Sequence, residues 1–435
     1  MESLEDLYRQ LEDLPKGSIV TKTIAGKRYF YLQYKQDGKV KSVYVKSRDV
    51  DVVKRKADLR KYVQSLIAEI EGESPPLARC DKNLGGLSGH VMLMDEEVAS
   101  FENGVLAWVD ESRAPLALKR TGSLLTWLSL RTADDSRPNV RKLKVHLGVE
   151  NKDGASISLI NRSRTLTDGY WFKPKRSKTQ FKDVAFNSDA FFSMALNGKL
   201  TNPTVKASLT PELTSLGSYE KGWKIINGEW WLYKKGNPME LFSEWFASEL
   251  AVAIGVPSVF YVVEGDTIRS KNFATYYNLE LMSGLTGEDD TYQKVFKALS
   301  AYGEEICRQY LLLMWFDCLV YNVDRHTENM GLLRDPTSGA IVSLAPNFDD
   351  NMCLLAAIAE LPEHRNHDGM INLFRSYLHS NEKAASIYRA MKLPDFDESL
   401  IFKILEGSEF EIDKQRIVSF LLEGKAVLAK LQREI

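Results

Sequence analysis

One stretch constrains this chain more than any other: a long apolar run that ends in a cluster of polar side chains. Residues 304–322 read EEICRQYLLLMWFDCLVYN and are apolar on nearly every side of a helix, which indicates a helix buried in a large core. The following VDRHTENMG places Asp324 and Asn329 five positions apart, and a second apolar run begins at Met330. Because both flanking segments are predicted to be buried, the loop between them would hold its polar side chains rigidly, as a functional site requires.

A carboxylate and an amide in one tight loop suit phosphoryl transfer. In that chemistry Asp324 would orient or deprotonate a hydroxyl group, and the amide oxygen of Asn329 would bind Mg²⁺. Mg²⁺ prefers hard oxygen ligands and usually takes a carboxylate as well. The segment IVSLAPNFDDN supplies Asp349 and Asp350 at a distance that a β-hairpin can cover. An ordinary loop, in which Asp and Asn only stabilise turns, is the alternative interpretation.

The polar loop resembles a known catalytic loop. The string NVDRHTENMG is similar to that of HipA-like serine/threonine kinases, and PNFD resembles the metal-binding element that follows it in this family. The order DRH is the reverse of the HRD found in ordinary protein kinases, which favours the HipA-like family. The resemblance implies that Asp324 is catalytic and that Asn329 and Asp349 hold the metal, with Asp350 as the alternative ligand.

Two segments further upstream also resemble this family. LTDGYWFKP is similar to a segment that precedes the phosphate loop in HipA-like chains, and the stretch LTSLGSYEKGWK follows it. The latter is similar to the phosphate loop of the same family. It implies that Ser215, Gly217 and Ser218 contact ATP phosphates through backbone N–H groups, with Lys221 just after them. It also implies that Ser215 or Ser218 is autophosphorylated, and a loop serine without a role is the alternative.

The strand-like segment EWWLYKKG follows this loop and resembles the strand that carries the ATP lysine. By that resemblance Lys234 pairs with the α- and β-phosphates, and Glu244 on the next predicted helix is its partner. Lys235 would face the other side of the strand. A register shift of one residue would exchange the two lysines, so Lys235 stays open as the alternative.

Three regions differ in their patterns along the chain. Residues 1–71 contain alternating segments separated by AGK and QDGK, which predict a small β-meander plus helix module that ends before the linker-like GESPP. Residues 83–280 contain short β-like segments, whereas residues 281–435 are mostly helical. With the resemblance, this predicts an α+β, bilobal protein-kinase-like fold with a β-rich N-lobe, a helical C-lobe and the small N-terminal module.

Composition limits the location and the partners of the chain. The formal net charge is −2, which gives no general reason to expect nucleic-acid binding. The four cysteines stand far apart, which disfavours a zinc site or a disulfide framework and fits a reducing cytoplasm. The polar beginning does not read as a signal peptide, and no apolar run reaches the ~20 residues that span a bilayer. We therefore predict a cytoplasmic protein with no membrane segment.

The N-terminal module is the exception to this charge argument, because lysines alternate with aromatic residues in its strands. A solvated face is the simpler interpretation, and a patch for nucleic acid or for a protein partner is the alternative. Direct binding of nucleic acid is not expected outside residues 1–71.

The leading functional hypothesis is an ATP- and Mg²⁺-dependent serine/threonine protein kinase that phosphorylates a protein hydroxyl and itself. The resemblance also implies a toxin role beside a separate, small helix-turn-helix antitoxin. One alternative is a degraded kinase fold that binds protein or nucleic acid. Another is a metal-dependent nuclease that uses His326 with Asp and Asn, although His326 is expected to be structural and Arg325 to form a buried ion pair.

Overall fold

The computed structural model describes most of the chain. The described residues are 14–24, 27–36, 39–46, 50, 53, 57, 60, 87–133, 137–199, 209–214, 217, 219–354 and 367–435. The chain divides into two compact units, Met1–Asn83 and Leu84–Ile435. The helices predicted around residues 3–13 and 48–71 fall outside the described residues, apart from single positions in the second.

The first unit contains a three-stranded antiparallel sheet. Its strands follow one another in the sheet in chain order: β1 (Ser18–Ile24), β2 (Lys27–Gln36) and β3 (Lys39–Val45). The register sets Val20 opposite Tyr31, and Tyr31 opposite Tyr44. The alternating sequence predicts this meander, because a strand with one covered face repeats every two residues.

The second unit begins with an antiparallel sheet in the order β6-β5-β4-β7, which short helices cover. The elements are β4 (Gly89–Leu93), β5 (Glu96–Glu102), β6 (Val105–Trp108), α1 (Leu116–Thr121), α2 (Leu124–Ser129), α3 (Val140–His146), α4 (Gly154–Ile160) and β7 (Tyr170–Pro174). Phe101, Trp127 and Phe172 lie in the core between this sheet and its helices. The segment YWFKP therefore forms β7, the edge strand next to β4.

A second antiparallel sheet, in the order β10-β11-β9-β8, follows. The elements are α5 (Phe181–Val184), α6 (Phe192–Asn197), a 3₁₀ turn (Pro211–Leu213), β8 (Lys221–Ile226), β9 (Glu229–Lys235), α7 (Pro238–Ala253), β10 (Tyr261–Glu264) and β11 (Thr267–Lys271). Asn227 and Gly228 both have positive φ and form the tight β8–β9 turn that an Asn-Gly pair favours. Asn237 caps α7, and Pro238 occupies its first turn, which fixes where this helix begins.

The rest of the chain is mainly helical, around one hairpin. The elements are β12 (Asn278–Leu281), α8 (Ser283–Thr286), α9 (Tyr292–Leu299), a 3₁₀ turn (Ser300–Tyr302), α10 (Glu304–Val320), β13 (Gly331–Arg334), β14 (Ile341–Leu344), α11 (Asp368–Ser380), α12 (Glu382–Ala390), α13 (Glu398–Glu406) and α14 (Lys414–Glu434). Strand β12 pairs with β13, so the predicted border between 280 and 281 falls within β12. Helix α10 lies at the centre of the largest core, as its uniformly apolar sequence predicts.

The predicted α+β class is confirmed, since two four-stranded sheets lie in the first part of the second unit and the last part is mainly helical. In the described part of the chain, no helix combines the length and the apolar character that crossing a bilayer needs.

We expect Leu319→Ala to destabilise the protein by about 2–5 kcal/mol, because Leu319 is wholly buried on α10 and the substitution leaves a cavity. Leu373→Ala on α11 is the matched control, because that side chain is 66% exposed and fills no cavity. Thermal unfolding of both variants checks the prediction. Equal melting temperatures for the two variants would contradict the central position of α10.

Candidate active site

Lys234 on β9 is the centre of a buried charge cluster. Its Nζ lies 2.5 Å from Oε1 of Glu244 on α7 and 2.8 Å from Oδ1 of Asp349. Lys235, the next residue, turns to the other face of the strand and pairs with the exposed Asp266 at 3.1 Å. The strand alternation therefore directs Lys234, and not Lys235, into the cleft.

The pKa values of this cluster show where the charges lie. Burial disfavours the Lys234 ammonium, but Asp349 and Glu244 outweigh burial and raise its pKa well above the ordinary value. Burial likewise disfavours the Asp349 carboxylate, and Lys234 with Lys221 outweighs it and lowers the pKa of Asp349. Burial raises the pKa of Glu244, while Lys234 lowers it. Because the 2.5 Å contact stabilises both charges, we assign the proton to Lys234.

Lys221 on β8 lies directly opposite Lys234 in the strand register. It is buried, and no carboxylate among the described residues lies within ion-pair distance of its Nζ. Burial lowers the pKa of Lys221 to about 8, partly offset by Asp349. Gly217, with a φ of +93°, packs its α-carbon close to the Lys221 ammonium, where a larger residue would collide with it. Two lysines thus line one cleft, and within the described part of the chain only Lys234 has carboxylate partners.

The loop after α10 carries Asp324 and Asn329, and Asn329 lines the same cleft as the two lysines. Nδ2 of Asn329 donates to the backbone carbonyl of Asp324 at 3.0 Å, so the Oδ1 is the end of this amide that can bind a cation. Asp324 is half-buried, and burial raises its pKa, with a further increase from Asp349 and a decrease from His326. A carboxylate with a raised pKa is a stronger base than an exposed one.

Arg325 connects this loop to α10 and to the segment that contains Asp350. Its guanidinium contacts Asp317 of α10 at 2.9 Å and Asp350 at 2.8 Å, and all three side chains are buried. It also donates to the carbonyls of Asn329 at 2.7 Å and Phe348 at 2.8 Å. The expected buried ion pair of Arg325 is therefore present, with two carboxylates.

The two neighbouring aspartates point in opposite directions. Asp349 has a φ of +65°, a left-handed conformation that Asp tolerates better than most residues, and it lines the cleft. Asp350 is wholly buried and accepts hydrogen bonds from Asn322 and Asn347 as well as from Arg325. Burial raises the pKa of Asp350 to about 6, although Arg325 opposes this. The geometry leaves Asp349 as the metal candidate and gives Asp350 a structural position.

A cavity of about 210 Å³ joins these residues in one cleft. Its polar end is lined by Lys221, Lys234, Asn329, Asp349 and Gly217. Its other end is mostly apolar and reaches the first sheet region and β12, with the lining residues Pro115, Ala117, Trp127, Leu166, Leu279 and Leu281. A charged end beside an apolar end suits a ligand with a polyanionic part and a flat, apolar part.

Some site residues were not found from the sequence. The Tyr261 hydroxyl hydrogen-bonds to Glu244, and the Lys234 Nζ lies 5.6 Å from the centre of the Tyr261 ring. At the apolar end, Arg131 pairs with Asp168 at 2.7 Å and stacks over Trp127 at 4.7 Å. A polar residue inside an otherwise apolar segment is a sequence signal that could have pointed to buried polar residues of this kind. Asp317 in α10 is an example.

The remaining predicted residues are the two loop serines and His326. Ser215 and Ser218 lie outside the described residues. His326 accepts a hydrogen bond from the Glu328 N–H at its Nδ1, 3.2 Å away, which is a structural contact within the loop. The described residues contain no group of three or more His, Cys, Asp or Glu side chains that could hold a metal by themselves.

Comparisons with known proteins add the following. Residues 2–55 match a family model described as a domain of unknown function, DUF6788. No curated protein matches this chain. The proinflammatory kinase CtkA of Helicobacter pylori is 19% identical, with 49% of this chain and 90% of that chain covered and a TM-score of 0.39. A chain of the HipA, HipB and operator DNA complex of Shewanella oneidensis MR-1 is 13% identical, with 79% of this chain and 97% of that chain covered and a TM-score of 0.46. At these identities the similarities concern the fold and say nothing of individual residues.

We expect Asp350→Ala to lower the free energy of unfolding by about 3–5 kcal/mol, because it leaves buried donors of Asn322, Asn347 and Arg325 without their acceptor, at about 1–3 kcal/mol each. Asp266→Ala removes the exposed partner of Lys235 and should leave the melting temperature unchanged. Thermal unfolding of both variants measures the difference. Should Asp350→Ala unfold at the wild-type temperature, Asp350 would not be the structural member of the pair.

Proposed function

We propose that this protein is an ATP- and Mg²⁺-dependent serine/threonine protein kinase. One observation carries the proposal: a single cleft unites a buried, carboxylate-paired Lys234 with Asn329 and with Lys221, which has no ion-pair partner among the described residues. Asp324 precedes Asn329 in the same loop. A buried ammonium without a carboxylate partner among the described residues would be stabilised by an anionic ligand, and a polyphosphate supplies several negative charges.

Each residue has a distinct part in the proposed reaction. Lys234, kept protonated by Glu244 and Asp349, would pair with the α- and β-phosphates of ATP. Lys221 would offset phosphate charge from the opposite strand. Asp324 would orient the acceptor hydroxyl and receive its proton as the phosphoryl group is transferred, a task for which its raised pKa suits it.

The residues present also fit a magnesium ion. Asp349 is anionic because its pKa is lowered, and Asn329 offers an amide oxygen on the same cleft. Both are the hard oxygen donors that Mg²⁺ prefers, and the ion commonly completes its shell with phosphate oxygens and water. When bound, Mg²⁺ would neutralise the charge that develops on the transferred phosphoryl group.

The apolar end of the cleft suits the adenine of ATP. Met282 N–H donates to Met330 O at 3.0 Å, and Leu279 N–H donates to Thr167 O at 2.8 Å. Alternate residues of an antiparallel strand point their backbone groups toward and away from the partner, so those of Leu281 point away from β13. Leu281 lines the cleft, where its N–H and C=O can bind the edge of a base.

The resemblance found in the sequence extends the proposal to three further points. The substrate would be a protein with a serine or threonine acceptor, and the chain would phosphorylate itself on Ser215 or Ser218. It would act as a toxin beside a separate helix-turn-helix antitoxin in a cytoplasmic setting. Co-purification of the chain with the product of a neighbouring small gene would test the antitoxin, and mass spectrometry would test the serines.

We expect the wild-type protein to transfer the γ-phosphate of labelled ATP·Mg²⁺ to protein. Asp324→Ala and Lys234→Ala should each lower the rate by at least about a hundredfold, because each removes a group that acts on the transition state. Lys235→Ala is the matched control and should keep the wild-type rate, because Lys235 faces away from the cleft.

The three variants separate the possible results of this experiment. Equal losses for Lys234→Ala and Lys235→Ala would contradict the assignment of the ATP lysine. Absence of both ATP binding and transfer in the wild type would overturn the kinase proposal. Binding of ATP without transfer to any protein would favour the degraded kinase that only binds.

We also expect ATP binding to weaken above about pH 8, where Lys221 loses its proton. A neutral amine no longer attracts phosphate, so the Kd should rise by up to about tenfold per pH unit above that point. Lys234 should not contribute, because its pKa is raised. Titration of a fluorescent ATP analogue across this range measures the effect. The variant Lys221→Met should bind more weakly, with a Kd independent of pH, and an unchanged pH dependence in this variant would remove Lys221 from the site.

A further inference from the structure

We propose that the open face of the β1–β3 sheet binds single-stranded nucleic acid, with bases stacked on a cluster of tyrosine rings and phosphates held by lysines. This face lies in the unit Met1–Asn83, within the segment that matches a domain of unknown function. None of its residues takes part in the proposed kinase reaction, so the inference stands apart from that proposal.

Three tyrosines meet on this face of the sheet. Tyr31 and Tyr44 are cross-strand partners with ring centroids 5.8 Å apart, and Tyr29 lies 6.3 Å from Tyr44. The Nζ of Lys22, on β1, lies 5.0 Å from the centre of the Tyr31 ring. Tyr44 is 53% exposed, so a large part of this aromatic surface is open to solvent.

The tyrosines are not needed for the core of the sheet. Side chains alternate between faces, so Val45 lies on the opposite face from Tyr44. Val45 is 6% exposed, and Phe30, its cross-strand partner, shares its face. The face opposite the tyrosines is thus covered at Val45, although Val43 on it is 51% exposed, whereas Tyr44, Ser42 and Lys46 are all accessible on the tyrosine face. Aromatic cross-strand pairs stabilise a sheet, but a contiguous aromatic cluster that is open to solvent also marks an interaction surface.

The charge of this segment identifies the class of ligand. Residues 14–46 contain eight lysines and arginines and one acidic residue, Asp37, whereas the whole chain has a net charge of −2. Lys22 and Lys46 are exposed on the tyrosine face. A basic surface concentrated in one small sheet attracts a polyanion, and its binding would be strongly dependent on salt.

The rings favour single strands over other polyanions. Bases of a single strand are free to stack on aromatic side chains, whereas those of a duplex are already stacked inside it. An acidic peptide would use the lysines but would gain nothing from three tyrosines. Beside the rings, Gln33 and Ser42 hydrogen-bond to each other at 2.9 Å and present polar groups to the edges of bases.

Fluorescence anisotropy with the full chain and a labelled oligothymidylate of about 20 nucleotides tests the proposal. Tyr44→Ala should weaken binding by about five- to a hundredfold, the range expected for the loss of one stacked base. Tyr44→Phe keeps the ring and should bind like the wild type. Val43→Ala is the matched control on the opposite face of the same strand, and circular dichroism checks that each variant is folded.

Two further sets of binding measurements identify the class of ligand. Lys22→Gln and Lys46→Gln should each reduce the slope of log K against log salt by about 0.7, the value for one phosphate contact on a single strand. A duplex of the same length and polyglutamate should bind more weakly than the single strand, and oligouridylate should bind in a similar way.

Four results would overturn the proposal. They are absence of oligothymidylate binding at low salt, equal losses for Tyr44→Ala and Val43→Ala, duplex binding as tight as that of the single strand, and an equal effect of Tyr44→Ala on polyglutamate. The last two would show that the surface attracts negative charge without stacking bases.

Discussion

The site depends on the guanidinium of Arg325. It joins the end of α10, through Asp317, to the polar loop and to the segment that carries Asp350. Each of these segments brings buried backbone carbonyls or carboxylates that need a donor, and a planar guanidinium with five N–H groups can satisfy several at once. Removal of Arg325 would leave two buried carboxylates without their cation, so the guanidinium couples the positions of the three segments.

This arrangement makes two adjacent aspartates different. Asp350 points into the interior, where it pairs with Arg325. The backbone at Asp349 is left-handed, and the Asp349 carboxylate points into the cleft, where it lies 2.8 Å from the Lys234 Nζ. Lys221 lies opposite Lys234 in the strand register but has no carboxylate within ion-pair distance among the described residues. In the proposed function, Lys221 would therefore take its counter-ion from a bound phosphate.

Sequence patterns anticipated the local features well and the long-range contacts poorly. The apolar character of α10 and the alternation in β1–β3 follow from neighbours in the chain, and both appear in the structure. By contrast, Tyr261 reaches Glu244 from another element, and β12 pairs with β13 across the predicted border. Such contacts join residues far apart in sequence, and no periodicity records them.

The sequence by itself determined the α+β class, the buried helix with its polar loop, and the set of residues from which a site could be built. It left two pairs of neighbours unresolved, Lys234 against Lys235 and Asp349 against Asp350. Only the tertiary structure decided between them, because the choice depends on which side of a strand faces the cleft and on which carboxylate Arg325 occupies. Adjacent residues of the same type have the same local chemistry, and only their surroundings in three dimensions make them different.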